Sequence, residues 1–154
     1  MAGTFSQIYI QLVFAVKGRT GLIQSSWEEE LYRYITGIIR NKSQKLLSIN
    51  GMADHIHVLI GMKPSCCLSD LVREVKKSSN EFINGKKFTR LNFQWQEGYG
   101  AFSYSHADLD NVIRYIANQK EHHRKLTFRE EYTKLLQEFQ IDFNDAYLFE
   151  WMDE

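Results

Sequence analysis

The sequence predicts an α+β fold, a ferredoxin-like split βαβ arrangement in which helices cover a central antiparallel sheet. The predicted elements follow the order β-α-β-β-α-β-α-α, and two of the strands alternate apolar and polar residues as half-buried strands do. The chain has 154 residues, of which 44% are hydrophobic, and contains one proline. A chain of this length and composition forms one globular core without needing disulfides or a structural metal.

Two different periodicities predict the first strand and the first helix. The even positions from Ile8 to Val16 are all apolar, which indicates a strand with one buried face. Ser26 followed by Glu29 is typical of a capping box, which predicts a helix from there to about Asn41. One side of that helix carries the apolar stripe Trp27, Leu31, Ile35, Ile38 and Ile39.

A hairpin is predicted next. Residues 45–49 have the pattern of a short second strand, and Asn50-Gly51 is a typical turn pair. Residues 55–62 form the third strand, whose even positions are apolar. Because side chains alternate between the two faces of a strand, His55 and His57 share the opposite face.

The second half of the chain predicts one more strand and three helices. Gly85 is the expected stop of the second helix, and Gly98 with Gly100 interrupts the fourth strand. The predicted bounds are 68–84 for the second helix, 93–104 for the fourth strand, 108–125 for the third helix, and a last helix that begins at a capping box of Thr127 and Glu130.

We predict that residues 1–126 form a single domain and that residues 127–154 form a C-terminal helix and acidic tail. The net charge is zero, yet the first 126 residues hold 17 Lys and Arg against 11 Asp and Glu, and the last 28 hold two against eight. The net charge can therefore conceal a basic region that is able to contact phosphates, but on charge alone an ordinary solvated surface is the favoured interpretation. Phe149 and Trp151 predict that the tail packs on the same domain or on a partner subunit.

Neither a membrane segment nor a secretion signal is visible. No apolar run approaches the roughly 20 residues of a membrane span, and the N-terminus lacks a basic start followed by a long apolar stretch. We therefore expect a cytoplasmic protein with no membrane partner. The adjacent Cys66 and Cys67 agree with a reducing compartment, since neighbouring cysteines rarely meet disulfide geometry.

His55 and His57 are the first candidates for chemistry. Two imidazoles two residues apart on a strand point the same way and can bind one cation, with Asp54 beside them as an acceptor for a ring nitrogen. The same pattern also occurs in polar strand faces that bind nothing. Two ligands do not complete a metal site, so a third is required from elsewhere in the chain.

The polar face of the third predicted helix contains a possible partner. Tyr115 and Gln119 are one helical turn apart, so a phenol and an amide oxygen can reach a common point. A tyrosine on an amphipathic helix more often packs its ring against a neighbour. Beside a histidine-bound divalent cation, however, a phenol can attack a phosphodiester, because the cation withdraws charge from the phosphate.

Four stretches of the chain resemble the IS200/IS605-type transposases, which are single-tyrosine (Y1) members of the HUH endonucleases. The stretch DHIHVLI at 54–60 resembles their HUH motif, and YIANQ at 115–119 is similar to their tyrosine motif. Residues 12–19 and 93–103 are similar to the first-strand and fourth-strand signatures of that family. The resemblance covers about residues 5–125 in the order that the family has.

The resemblance implies a transposase that cleaves and rejoins single-stranded DNA at hairpin-bearing element ends, through a 5′-phosphotyrosine. Tyr115 would be the nucleophile, while His55 and His57 would hold Mg²⁺ or Mn²⁺ with Gln119 as the third ligand. The implied partners are DNA hairpins and a second copy of the chain. In such homodimers the tyrosine of one subunit often acts with the histidines of the other.

Binding of a DNA hairpin also requires cations for the phosphates. We predict that Arg19 and one face of the second helix, with Arg73, Lys76 and Lys77, make these contacts. Three other functions stay open at this point: a domesticated relative that acts on repeated chromosomal palindromes, a non-catalytic hairpin-binding module, and a zinc protein. The zinc hypothesis does not explain why Tyr115 and Gln119 lie one turn apart.

Overall fold

A computed structural model of the protein describes residues 3–18 and 21–151, and the predicted fold class is confirmed. Four strands form one antiparallel sheet in the order β2-β3-β1-β4. The strands are β1 Tyr9–Ala15, β2 Lys45–Met52, β3 His55–Gly61 and β4 Gly100–Tyr104. The helices are α1 Glu28–Asn41, α2 Leu68–Lys86, α3 Leu109–Ala117, α4 Gln119–His122 and α5 Phe128–Glu138, with short 3-10 turns at His106–Asp108 and Asp145–Tyr147.

Helices cover both faces of the sheet. The even residues of β1, such as Leu12 and Phe14, pack in the larger core against α1 and α2. The odd residues Val13 and Ala15 pack in a second core against α5. β1 is therefore buried on both faces over most of its length, whereas the alternating pattern predicted burial of one face only. The difference arises because the second face of β1 carries small apolar residues that α5 covers.

The start of α1 differs from the prediction. Trp27, and not Ser26, is the N-cap residue, and no side chain caps the helix, so the predicted capping box is wrong. The Trp27 ring is buried and stacks on Phe88, with ring centroids 5.0 Å apart. Packing of this large ring places the helix start at Glu28, because burial of an aromatic side chain outweighs one capping hydrogen bond.

The hairpin between β2 and β3 also corrects a prediction. Asn50 and Gly51 lie within β2, where they pair with His57 and Ile56, and the turn is at residues 53–54. Gly51 is required for close approach, because a Cβ atom there would lie 2.3 Å from the carbonyl oxygen of His55. The Asn-Gly pair therefore allows β2 and β3 to approach closely and does not form the turn between them.

The segment before β4 is held by side chains rather than by a ladder. The strand predicted at 93–104 is regular only from Gly100, and Trp95 makes a single bridge to Val16. Lys76 of α2 donates to the carbonyl oxygens of Gln96 and Gly98, at 2.8 and 2.6 Å. Gly98 has a φ of 81°, a conformation that disfavours other residues and ends the extended run.

α2 is the longest helix and continues past the predicted stop at Gly85 to Lys86. It ends at Lys87, which has the left-handed φ of 56° that a helix terminus requires. Within residues 3–18 and 21–151, no helix is both long enough and apolar enough to cross a membrane.

The C-terminal segment forms the second helical layer. The predicted capping box at the start of α5 is confirmed, since Thr127 accepts from the backbone N–H of Glu130, and the Glu130 side chain accepts from that of Thr127. After α5 the chain returns along it, and Phe149 packs on Tyr132 with ring centroids 4.9 Å apart. Gln96 and Glu150 exchange two hydrogen bonds, of 2.9 and 2.7 Å, which fix this return.

We predict that Gly51→Ala destabilises the protein strongly. The added methyl group would overlap the backbone of β3, and relief requires the hairpin to open, at a cost of at least about 2 kcal/mol in the free energy of unfolding. Denaturant unfolding measures this change. Gly37→Ala in α1 is the matched control, because no atom lies within 4 Å of its added Cβ and alanine favours a helix by about 0.5–1 kcal/mol. Equal stabilities of the two variants would contradict the close approach.

Candidate active site

His55 and His57 lie on the face of β3 that α3, α4 and α5 cover. Both side chains are completely buried, and their ring centroids are 5.2 Å apart. The alternation of β3 sends its even residues Ile56 and Val58 into the core under α1 and α2. The two histidines therefore share the other face, as the period of the strand predicts.

One nitrogen of each ring is held by a neighbouring oxygen. His55 Nδ1 lies 2.7 Å from Asp54 Oδ1, and His57 Nδ1 lies 2.6 Å from Gln11 Oε1. Gln11 is itself oriented, because its amide nitrogen donates to Tyr104 Oη at 2.7 Å. These contacts suit rings that carry a proton on Nδ1, and both Nε2 atoms face the same point.

That point is the carboxylate of Glu131, from α5. Its Oε1 atom lies 3.0 Å from His57 Nε2, 3.2 Å from His55 Nε2 and 3.0 Å from His123 Nε2. Its Oε2 atom accepts a hydrogen bond from Tyr115 Oη and another, of 2.8 Å, from the Gln119 amide. One buried carboxylate thus joins the predicted nucleophile, the predicted third ligand and both predicted histidine ligands.

The charges in this cluster determine its protonation. Burial alone would raise the pKa of Glu131, but the surrounding imidazoles outweigh burial and hold it well below its ordinary value. Burial, followed by the adjacent Glu131 carboxylate, raises the pKa of Tyr115 far above its usual value near 10. In this arrangement Glu131 is therefore ionised and Tyr115 keeps its proton.

The two histidines respond differently to burial. Burial lowers the pKa of His57, so this ring is neutral at pH 7. For His55, the hydrogen bonds to Asp54 and Glu131 outweigh burial and raise the pKa to about 9. His55 is thus the ring that carries the positive charge when no metal is bound.

A divalent cation fits the donor atoms present. A neutral His57 that donates through Nδ1 turns the lone pair of Nε2 toward another acceptor, Glu131 Oε1, at 3.0 Å. Two lone pairs this close require a proton or a metal ion between them. Adjacent ligands of an octahedral cation with bonds near 2.1 Å are about 3.0 Å apart, which matches these contacts. Ligand atoms of His55, His57 and Glu131 all lie within 4.8 Å of one another.

Gln119, the predicted third ligand, lies at the edge of this group. Its Oε1 atom is 3.3 Å from His55 Nε2, while its amide nitrogen donates to Glu131. Glu131 is nearer to both histidines and carries the charge that a cation requires. Ligation by Gln119 stays a prediction, with Glu131 as the additional candidate.

Comparison with known proteins then identifies the family. A family model described as "Transposase IS200 like" matches residues 4–119. The chain belongs to this transposase family. No curated protein sequence matches the chain.

Solved structures agree with this fold. A protein from Deinococcus radiodurans R1, provisionally classed as a transposase, superposes with a TM-score of 0.62 at 20% identity, over 77% of this chain and 95% of that one. A REP-associated tyrosine transposase bound to a REP hairpin superposes with a TM-score of 0.58 at 16% identity, over 80% of this chain and 74% of that one. At these identities the similarity demonstrates the shared fold.

Glu131 is the residue that sequence reasoning missed. The transposase family match includes His55, His57, Tyr115 and Gln119 but ends 12 residues before Glu131. A signal was nevertheless present, because Glu131 lies within the apolar stripe of α5, three residues after Phe128 and four before Leu135. A charged residue on the buried face of an amphipathic helix needs a partner in the core.

A cavity of about 600 Å³ opens beside Tyr115. It lies between α3, the end of β4 and α5, and Tyr115 and Glu131 belong to its wall. His55 and His57, the predicted metal ligands, do not line it. A phosphate that enters the cavity therefore meets Tyr115 and Glu131 first. The other lining residues include Ser103, Tyr104, Ser105, Asn111, His122, Lys134 and Phe139.

The predicted phosphate contacts lie in different environments. Arg19 falls outside the described residues. Arg73 is exposed and pairs with Asp70, and Lys77 is exposed without an ion pair to any described residue. The ammonium of Lys76 is half-buried between two carbonyl oxygens. α2 packs on the face of the sheet opposite to the histidines, so a phosphate role for these residues stays a prediction.

We predict that the metal-free protein loses stability as the pH rises through about 9. His55 has a folded pKa of about 9 against an unfolded value near 6.5, so its charge stabilises the fold fully below pH 6.5. This contribution, of about 3 kcal/mol, disappears above pH 9. Denaturant unfolding in EDTA at pH 6.5 and 9.5 measures it, with His55→Asn as the control that lacks this difference. Equal wild-type stabilities at both pH values would contradict a charged His55.

Proposed function

We propose that this transposase cleaves and rejoins single-stranded DNA at hairpin-bearing ends through a 5′-phosphotyrosine on Tyr115. The observation that carries the proposal is that four side chains converge on the Glu131 carboxylate: those of Tyr115, Gln119, His55 and His57. A nucleophile, an acceptor for its proton and the nitrogen ligands for a cation are thereby assembled at one point. Because Glu131 belongs to α5, the functional unit includes the segment after residue 126.

The proposed step makes one bond and breaks one. Tyr115 Oη attacks the scissile phosphorus, the bond from phosphorus to the 3′-oxygen breaks, and this oxygen leaves as a 3′-hydroxyl after taking a proton from water. The proton of Tyr115 passes to Glu131 Oε2, the acceptor that it already contacts. Since the pKa of Tyr115 is raised, the proton moves as the new bond forms and not before. In the reverse step a 3′-hydroxyl attacks the phosphotyrosine and rejoins the strand.

The residues that would hold Mg²⁺ or Mn²⁺ are His55 and His57, with an oxygen from Glu131, Gln119 or both. Such an ion would withdraw charge from the phosphate and stabilise the negative charge that develops during the attack. Asp54 and Gln11 keep both ring lone pairs turned to the site, and burial excludes water from the two imidazoles. These are the chain's own contributions to a metal-dependent reaction.

The proposed partner is a single-stranded DNA hairpin. A tyrosine transposase of the same fold is bound to a REP hairpin, which supports this class of ligand for the present chain. The strand to be cut would reach Tyr115 through the 600 Å³ cavity, and Arg73 and Lys77 are candidates for contacts with the stem. A second copy of the chain is the other proposed partner, and the oligomeric state in solution tests it.

We predict that Tyr115→Phe abolishes covalent attachment to DNA while hairpin binding persists. Phenylalanine keeps the ring but removes the attacking oxygen, so adducts should fall at least about 10³-fold. The substrates are labelled hairpins from the DNA that flanks the gene and from repeated chromosomal palindromes, with Mg²⁺, Mn²⁺ or EDTA. Denaturing electrophoresis detects the adduct. Tyr147→Phe, at a highly exposed tyrosine outside the site, is the matched control.

Adducts that survive Tyr115→Phe would remove the phosphotyrosine from the mechanism. Hairpin binding by the wild type without an adduct in any metal would instead support a non-catalytic hairpin-binding module. Preference for one of the two hairpin sources separates a mobile element from a domesticated relative.

We predict that Glu131→Gln and His57→Ala each weaken Mn²⁺ binding by at least about tenfold. Glutamine keeps the shape of Glu131 but removes its charge, and alanine removes one ring nitrogen. Isothermal titration calorimetry measures the dissociation constants, with His106→Ala, a histidine outside the cluster, as the control. If Glu131→Gln binds Mn²⁺ as tightly as the wild type, Glu131 is not a ligand and Gln119 is the remaining oxygen donor.

A further inference from the structure

We propose that Asn50 is a positioning residue, which holds Tyr115 against the histidines of its own chain. The inference rests on the proposed function, because it concerns the placement of the proposed nucleophile. Asn50 lies on β2 directly across from His57, so its side chain shares the face on which the site is built. It belongs to the Asn-Gly pair that does not form a turn.

The Asn50 side chain contacts the end of the tyrosine helix. Its amide nitrogen donates to the carbonyl oxygen of Ile116 at 3.0 Å and to that of Ala117 at 3.1 Å. These two residues follow Tyr115 and end α3. One amide thus connects the strand beside His57 to the helical turn that carries the nucleophile.

The end of α3 offers free acceptor capacity to such a donor. The last carbonyls of a helix have no N–H partner within the helix, and a buried one needs a donor from elsewhere. The helix predicted to run through residue 125 is interrupted at Asn118, whose ψ of 20° departs from the helical value, and α4 starts at Gln119. Asn50 adds a side-chain donor at this interruption, where the carbonyl oxygen of Ile116 also accepts a backbone N–H. The contact lies between Tyr115 and Gln119, the two residues that enter the site.

Lys120 makes a second connection to the same hairpin. Its ammonium donates to the carbonyl oxygen of Gly51 and to Glu28 of α1, both at 3.0 Å. The segment 115–120 is therefore held by four donated hydrogen bonds to residues of its own chain. For Tyr115 to act with the histidines of another subunit, all four would have to break. These four contacts support assembly of the active site in cis.

Asn50→Asp tests the positioning role. Aspartate has the same shape, but its carboxylate cannot donate and repels the two carbonyl oxygens. We expect the rate of adduct formation to fall at least about tenfold, with unchanged dissociation constants for Mn²⁺ and for the hairpin, because a small displacement of a reacting group reduces the rate and not binding. Ser48→Ala is the matched control, on the same strand and face as Asn50. A wild-type rate for Asn50→Asp would overturn the proposal.

Hydrogen exchange gives a readout that needs no activity. Asn50→Asp should increase amide exchange in residues 109–122 and leave α1 unchanged, while Ser48→Ala changes neither. If the wild type forms no adduct, the proposed function fails, yet the exchange experiment still decides whether Asn50 holds the helix. If Asn50→Asp does not fold, Lys120→Met replaces it, because the Lys120 side chain is half exposed. We expect the same result, a lower rate of adduct formation and faster amide exchange in residues 109–122.

Co-expression of Tyr115→Phe with His57→Ala tests assembly in cis. A site built between subunits would combine the intact tyrosine of one chain with the intact histidines of the other and restore the adduct. We expect no adduct beyond that of each variant alone. Recovery to about a quarter or more of the wild-type amount would overturn the cis assignment.

Discussion

The charge of one buried carboxylate is the constraint on which the second face of the sheet depends. Removing an ionised carboxylate from water costs several kcal/mol unless its oxygens are fully matched by donors. Glu131 meets this requirement through the charged His55 ring at Oε1 and through hydrogen bonds that Oε2 accepts from the phenol and the amide, while a proton or a cation completes the contact with His57. The docked position of α5 therefore satisfies two requirements at once, because it brings Glu131 to the histidines and buries Phe128, Tyr132, Leu135 and Leu136 in the second core.

The sheet makes this arrangement possible because alternate residues of a strand point to opposite faces. One face can then be apolar while the other carries polar side chains. One face of β1 and β3 carries the large apolar side chains that build the core with α1 and α2. The other face carries His55, His57 and Gln11 beside small residues such as Ala15, which leaves room for polar chemistry under α5. One side of β3 thus contributes to the larger apolar core, and the other side carries the candidate site. The same strand backbone positions both sets of side chains.

Much of this was predictable because it depends on short-range periodicity. The two-residue period placed His55 and His57 on one face, the one-turn spacing placed Tyr115 near Gln119, and the Thr127 capping box started α5. The rest depends on contacts between distant parts of the chain. Asn50 donates to the end of a helix 66 residues away, and Trp27 displaces a helix start by packing on Phe88. Glu131 has no sequence motif in common with the histidines that it joins, and only its place in an apolar stripe marks it.

The return of the chain along α5 has a consequence for biosynthesis. The histidines leave the ribosome well before Glu131, and α5 is held in place by residues still nearer the C-terminus, through Phe149 and the exchange between Gln96 and Glu150. Since folding proceeds from the N-terminus during translation, the sheet can form while Glu131 is absent. The nascent protein therefore offers two nitrogen ligands without the Glu131 carboxylate, and this set of donor atoms is held in place only after Phe149 and Glu150 have been synthesised.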